Sequence, residues 1–462
     1  MARSRTSQRD EHRELTRRAL IKWSVAAGAA LGVSRSKVFE ILDRTAGRGT
    51  AFAAAEHATT RSVHLVGGNG GLAHMQCFWP QVDIAKANNP RFAWQFPGAA
   101  SDVAGTRRPL VIGADTPWST LPAERQVTCF VCGADETHTE TPQSTTALNG
   151  SNVFAVASVL QAASPSVVPI VTIGSATAGS ASGAPDVANV RDADGLAALF
   201  DSVASRMGGM LANPADAQLY KMQYDALHQL NRAANRETQK PAYATASGAA
   251  RLLGINLAPR LQITAEDLVR YGVSADTRPN VAELARALIL IVKAFQMGLM
   301  NAVVLPMMSD DPHQFWSSGD YQIVPPQLKA VFDGFMTDLV RTIDDSTQVA
   351  LADDTVITIV GDTTKDPLTR DGWPDGGPGD SNAVYVYGAG HLYAGWNGSI
   401  DRTGAVRGFD PDGKPAAYHG ATTATLATAS IAYAIAKRDP RAIANVANGL
   451  TIAGVFGPPK RP

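Results

Sequence analysis

Cysteine is scarce: the 462 residues hold three, too few for a fold stapled by disulfides. A surplus of either charge is missing as well. Lys and Arg number 41 against 42 Asp and Glu, so the chain lacks the basic excess that carries nucleic-acid binding. No apolar run reaches the ~18 residues of a membrane span; the nearest, residues 23–33, is shorter. Glycine and proline, at 41 and 27, are in ordinary supply, which excludes collagen-like and wholly disordered chains. No fixed-period repeat is visible. What is left is a chain long enough for up to three domains, or for one large α/β unit with insertions.

Charge divides the chain in two. Residues 1–55 hold 11 Lys/Arg and 5 Asp/Glu, a net of +6, which leaves −7 for residues 56–462. Within the basic part, Arg17-Arg18 precedes the short apolar stretch 23–33. A charged start, a twin arginine and a short apolar run read as a twin-arginine secretion signal. The alternatives are a membrane anchor or a buried helix. The expectation is a targeting segment over 1–55, cleaved near Ala53-Ala54-Ala55 or retained as an anchor. It would engage the twin-arginine export machinery and deliver the chain to the periplasm, the cell surface or the exterior. For 56–462 the reading is no nucleic-acid partner and no integral membrane span.

The remainder predicts one α/β domain. Apolar, β-branched runs at 62–66, 127–132, 167–173, 302–307, 355–360 and 383–387 read as strands covered on both faces, as in parallel sheets. Helical stripes lie between them, at 196–211, 215–235, 281–297, 327–344 and 422–436. In 327–344, Leu328, Val331, Phe332, Phe335, Leu339 and Val340 share the stripe, with Pro325-Pro326 at its start. Strands alternating with helices imply a mostly parallel, doubly wound sheet with helices on both faces. Residues 175–300, largely helical in pattern, read as a helical insertion or cap.

In such a sheet, ligands bind beyond the carboxyl ends of the strands. The residues there are polar: Gly67 to Gly71 after the first strand, then Asp135, Glu136, Thr137, His138, Thr139 and Glu140, then Ser309 to His313, then Asp362 to Asp366 with Arg370 and Asp371, and last Gly388 to His391. Oxygen and imidazole donors of this kind suit zinc, manganese or calcium. The candidate metal ligands are Asp311, His313, Asp362, Asp371 and His391, with Asp310 able to replace Asp311. Thr137 is the candidate nucleophile, and His138 a ligand or acid/base. The same residue types also make good βα loops and helix caps. The Gly67–Gly71 turn resembles a phosphate cradle, but no P-loop lysine follows it. His64 reads as a core residue. Cys129 and Cys132, three apart in a strand, point to opposite faces and read as buried free thiols; a disulfide with Cys77 and a redox role are the other options.

The order of these landmarks resembles the twin-arginine-exported, sulfatase-like family of unknown function within the alkaline phosphatase superfamily. It runs from the twin arginine through Gly67-Gly68-Asn69-Gly70-Gly71-Leu72, Thr137-His138, Asp311-Pro312-His313 and the strand DDTVITIV to Arg370-Asp371-Gly372-Trp373-Pro374, and ends with Gly388–Gly390 and Thr403-Gly404. The resemblance implies an alkaline phosphatase-like fold and a metal-dependent phosphate- or sulfate-ester hydrolase. The departures matter as much. Gly70 stands where the family has an aspartate and Gly372 where it has a histidine. Gly361-Asp362-Thr363-Thr364-Lys365 replaces a Ser-Glu-Phe-Gly-Arg-type turn. Losing ligands weakens a divalent site steeply. The leading expectation is therefore a divergent or non-catalytic member with an incomplete metal site, and the second is an active metal-dependent hydrolase using Thr137 as nucleophile.

Overall fold

The apolar runs assemble into a single eight-stranded mixed sheet. The structure is a computed structural model, and it describes residues 59–87, 89–94, 100–139, 148, 151–162, 164–181, 183–200, 222, 252, 255–444 and 456–458. The expected signal over 1–55 and the helix expected at 215–235 lie outside the described residues, but for Met222 in the latter. In chain order the strands are β1 (Arg61–Gly67), β2 (Thr128–Val131), β3 (Val168–Ile173), β4 (Val187–Val190), β5 (Met300–Pro306), β6 (Thr355–Gly361), β7 (Ala383–Tyr387) and β8 (Gly395–Asn397). Across the sheet they lie in the order β8-β2-β7-β6-β1-β5-β3-β4. The pairs β1–β5, β1–β6, β3–β5, β3–β4 and β2–β8 are parallel. β7 is antiparallel to both β6 and β2, so it alone in the sheet runs the other way.

Both faces are covered, which is why the central strands carry apolar side chains in both directions. On one face Val63 and Leu65 pack with α3 (Pro279–Gln296) and α4 (Val324–Arg341). On the other, Val66, Ala302 and Val304 pack with α1 (Val153–Gln161) and α5 (Gly420–Ile435). In α4 the prolines fall inside the first turn, where a missing N–H costs nothing. Leu328, Val331, Phe332, Phe335 and Leu339 are buried there, but Val340 is 49% exposed; it follows Leu339 by one residue and so points off the stripe. Cys129 and Cys132 lie in the cores of opposite faces, and all three cysteines are buried free thiols. Burial pushes their thiols up, which makes them poor nucleophiles.

The stretch 175–300 does not stand apart as helix alone. It supplies β4, an edge strand, then α2 (Ala193–Phe200), and α3, which packs on the sheet. Among the described residues no helix is long and apolar enough to cross a membrane.

His64 sits in the middle of β1, fully buried, opposite Thr358 of β6. Its ring nitrogens hydrogen-bond Thr358 Oγ1 at 2.7 Å and Ser62 Oγ at 3.0 Å. It is a satisfied core histidine, as its place in a strand predicts.

Candidate functional site

Because β1, β2, β5 and β6 run the same way, their trailing loops meet at one rim. β7 enters that rim by its start. Asn382, just before it, donates to the carbonyls of Gly361 at 3.1 Å and Asp362 at 2.9 Å. The reversal corrects one expectation: the loop after β7 emerges at the opposite edge, so His391 is far from the other candidates in the topology. There His391 Nδ1 accepts from Arg438 Nε at 3.1 Å.

Two of the remaining candidates, His138 and His313, come together at Asp375, which the sequence did not single out. His138 Nε2 lies 3.0 Å from Asp375 Oδ2, and His313 Nε2 lies 3.5 Å from the same oxygen. The two imidazoles stack with centroids 5.8 Å apart. One ligand atom from each of His138, His313 and Asp375 fits within 4.8 Å of the others. Asp311 joins through a hydrogen bond to His313 Nδ1. Asp371 is exposed and is not in this group; Asp375, four residues on, takes the place expected of it.

Asp362 lies beneath. Its Oδ1 accepts from the amides of Gly70 at 3.0 Å and Thr363 at 2.6 Å. Its Oδ2 is buried without a hydrogen-bond partner among the described residues, and burial pushes the carboxyl up. The glycine turn that resembles a phosphate cradle thus spends an amide on Asp362. The turn is also packed shut: a Cβ on Gly71 would stand 2.2 Å from the Met308 carbonyl oxygen. Gly71→Ala should therefore cost about 1–3 kcal/mol, read as a fall in urea midpoint, because a backbone atom cannot swing aside. Unchanged stability would disprove that packing.

Thr137 is exposed, and its hydroxyl donates to Asp135 Oδ2 at 2.8 Å. Burial raises the Asp135 carboxyl. Thr137 and His138 have φ of 36° and 56°, conformations that non-glycine residues adopt at a cost. The backbone of His138 is held by a hydrogen bond to Thr363 Oγ1 at 2.7 Å.

The sequence reading named Lys365 only as a loop residue, yet it is central. Its side chain is 0% exposed. Its ammonium lies 3.2 Å from Asp311 Oδ1, 3.1 and 3.4 Å from the two ring nitrogens of His313, and donates to Asp375 Oδ1. Gln76 fixes the backbone on both sides, accepting from the Lys365 amide at 2.9 Å and donating to its carbonyl at 3.0 Å. Burial would push the carboxyls of Asp311 and Asp375 up, but the hydrogen bonds from His313 and His138 and the Lys365 ammonium prevail and hold both low.

Two imidazoles and a carboxylate are donors that suit a borderline divalent metal. The ammonium does not suit one. At an effective dielectric near 20, unit charges 4 Å apart interact by about 4 kcal/mol, and a divalent ion so placed meets roughly twice that in repulsion. The carboxylates that would offset it already serve the lysine. The residues present therefore do not fit a resident metal.

A cavity adjoins the rim, lined by Trp79, Trp94, Tyr385 and Trp396 with Gln76 and Thr364. Compared with family models, with curated proteins and with solved structures, the chain finds no match in any of the three.

Proposed function

We propose that this chain is an exported, sulfatase-like member of the alkaline phosphatase superfamily that has lost metal-dependent ester hydrolysis. One observation carries the reading: the Lys365 ammonium lies inside the donor set of Asp311, His313 and Asp375. Support for the family comes from the twin arginine at Arg17-Arg18, the order of the sequence landmarks, and a mostly parallel sheet whose loops meet at one rim. Support for lost hydrolysis comes also from Thr137, whose hydroxyl is tied to Asp135. The protein then works by binding or assembly.

The test is elemental analysis of the purified chain, with 4-nitrophenyl phosphate and sulfate assayed with added zinc, manganese or calcium. The expected result is metal well below one ion per chain and no release of 4-nitrophenol. The competing reading, a hydrolase with Thr137 as nucleophile, is favoured by the clustering of His138, His313 and Asp375. Stoichiometric metal together with turnover that Thr137→Ala abolishes would establish it and overturn ours.

A further inference from the structure

We infer that Lys365 is a resident cation that keeps a zinc-type site closed, and that removing its ammonium opens the site to one divalent ion. The inference rests on the metal-free reading above and deepens it. Two carboxylate oxygens, one each from Asp311 and Asp375, take the ammonium, and the His313 ring stands beside it with its nitrogens at 3.1 and 3.4 Å. A fully buried ammonium between two carboxylates is a built cation site, unlike a surface ion pair. The ammonium is held there, since Lys365 bridges to Asp375 through the backbone as well as the side chain and Gln76 grips its amide and carbonyl.

Beside it, the Nε2 atoms of His138 and His313 both face Asp375 Oδ2. Imidazole pairs of this kind favour zinc over calcium or magnesium, which take oxygen. A second, independent feature also asks for a cation. Asp362 is 0% exposed, its Oδ2 has no hydrogen-bond partner among the described residues, and it lies within electrostatic reach of His138. With Lys365 present, the carboxylates of Asp311 and Asp375 share its positive charge. Without it these two carboxylates lose their cation, and next to the imidazoles of His138 and His313 they draw a divalent ion.

The experiment titrates zinc chloride by calorimetry into the full chain and into Lys365→Met, Lys365→Arg and Lys365→Met/His313→Ala, with folding checked by circular dichroism. Lys365→Met should take up one zinc at least roughly 100-fold more tightly than the parent chain, because the opposing charge is gone. Lys365→Arg, which keeps the charge, and the double variant should show no such gain. Equal zinc affinity in the parent chain and Lys365→Met overturns the inference, and so does a folded Lys365→Met that takes up none. If Lys365→Met does not fold, the parent chain decides. The nitrogen-15 resonance of its Lys365 ammonium should be unmoved by excess zinc, and displacement by zinc overturns the inference. Ester hydrolysis by a metal-loaded parent chain would sink the functional reading instead, so the two failures are distinguishable.

Discussion

Urea unfolding at pH 5 should show about 4 kcal/mol less stability than at pH 7 from two histidines alone, roughly 2 from each. His64 is 0% exposed and His74 3%. Burial pushes His64 down to about 3. Burial also pushes His74 down to about 4, against the raising influence of Asp310 and with Arg278 adding to the fall. Both therefore stay neutral when folded at pH 5. In the unfolded chain they bind protons below their ordinary value near 6.5. The unfolded state then holds more protons, so stability falls as pH drops through that value and goes on falling toward the folded values. The buried carboxyls raised by burial, Asp338, Asp354 and Asp362, act in the opposite sense, so the decisive quantity is a difference between variants. His74 is the better probe, because neither ring nitrogen has a hydrogen-bond partner among the described residues. His74→Leu should cost little or nothing at pH 7, since no hydrogen bond is lost, and should remove about half of the histidine-driven loss at pH 5. An unchanged loss in that variant, or an NMR titration of His74 near 6.5, would refute the account.

Asp344→Ala is expected to lower the unfolding free energy by about 3–5 kcal/mol. Arg61 begins β1, and its guanidinium donates to Asp344 and, at 2.9 Å, to the Met300 carbonyl. The two side chains are 8% and 0% exposed. Asp344 Oδ1 also accepts from the Ser346 and Thr347 amides at 2.6 and 3.0 Å. Truncating the aspartate strands a buried guanidinium, which is where the cost arises. Replacing both partners, as in Arg61→Met/Asp344→Leu, should recover much of it, because an apolar pair leaves no charge unpaired. Burial would push the Asp344 carboxyl up, but Arg61 and Ser346 outweigh it and hold the group below its usual range. Its contribution is then complete above the ordinary carboxylate value near 4 and is lost as pH falls through the lower folded value. The penalty should persist at pH 5, which separates it from the histidine effect. A double variant no better than Asp344→Ala would argue that packing at the start of β1 matters and the charge pair does not.

The sulfatase-like reading and the resident-cation inference meet at Lys365, and that residue shows what a sequence leaves out. It stands in a polar loop after β6, among residues that make ordinary turns. Its partners Asp375, Asp311 and His313 are 10, 54 and 52 positions away. Asp375 escaped notice in the same way: Arg370-Asp371 carried the motif, and four further residues of loop bring the carboxylate round.

The central strands were legible by themselves. Runs such as TVITIV are β-branched at every position and mostly apolar because both faces of the sheet are covered, and that pattern needs no partner to be seen. The opposed placement of Cys129 and Cys132 likewise follows from the two-residue period of a strand. The edge strands β4 and β8, four and three residues long, are too short to leave a period. Strand direction leaves no trace in composition at all, since AVYVY has the same pattern read either way. Only pairing with β6 and β2 reversed β7 and carried His391 off the rim. Local periodicity thus wrote the elements and the kinds of donor at their ends. Which donors meet, and that an ammonium sits among them, depended on strand order, strand direction and long-range charge pairing, which exist only once the chain has closed on itself.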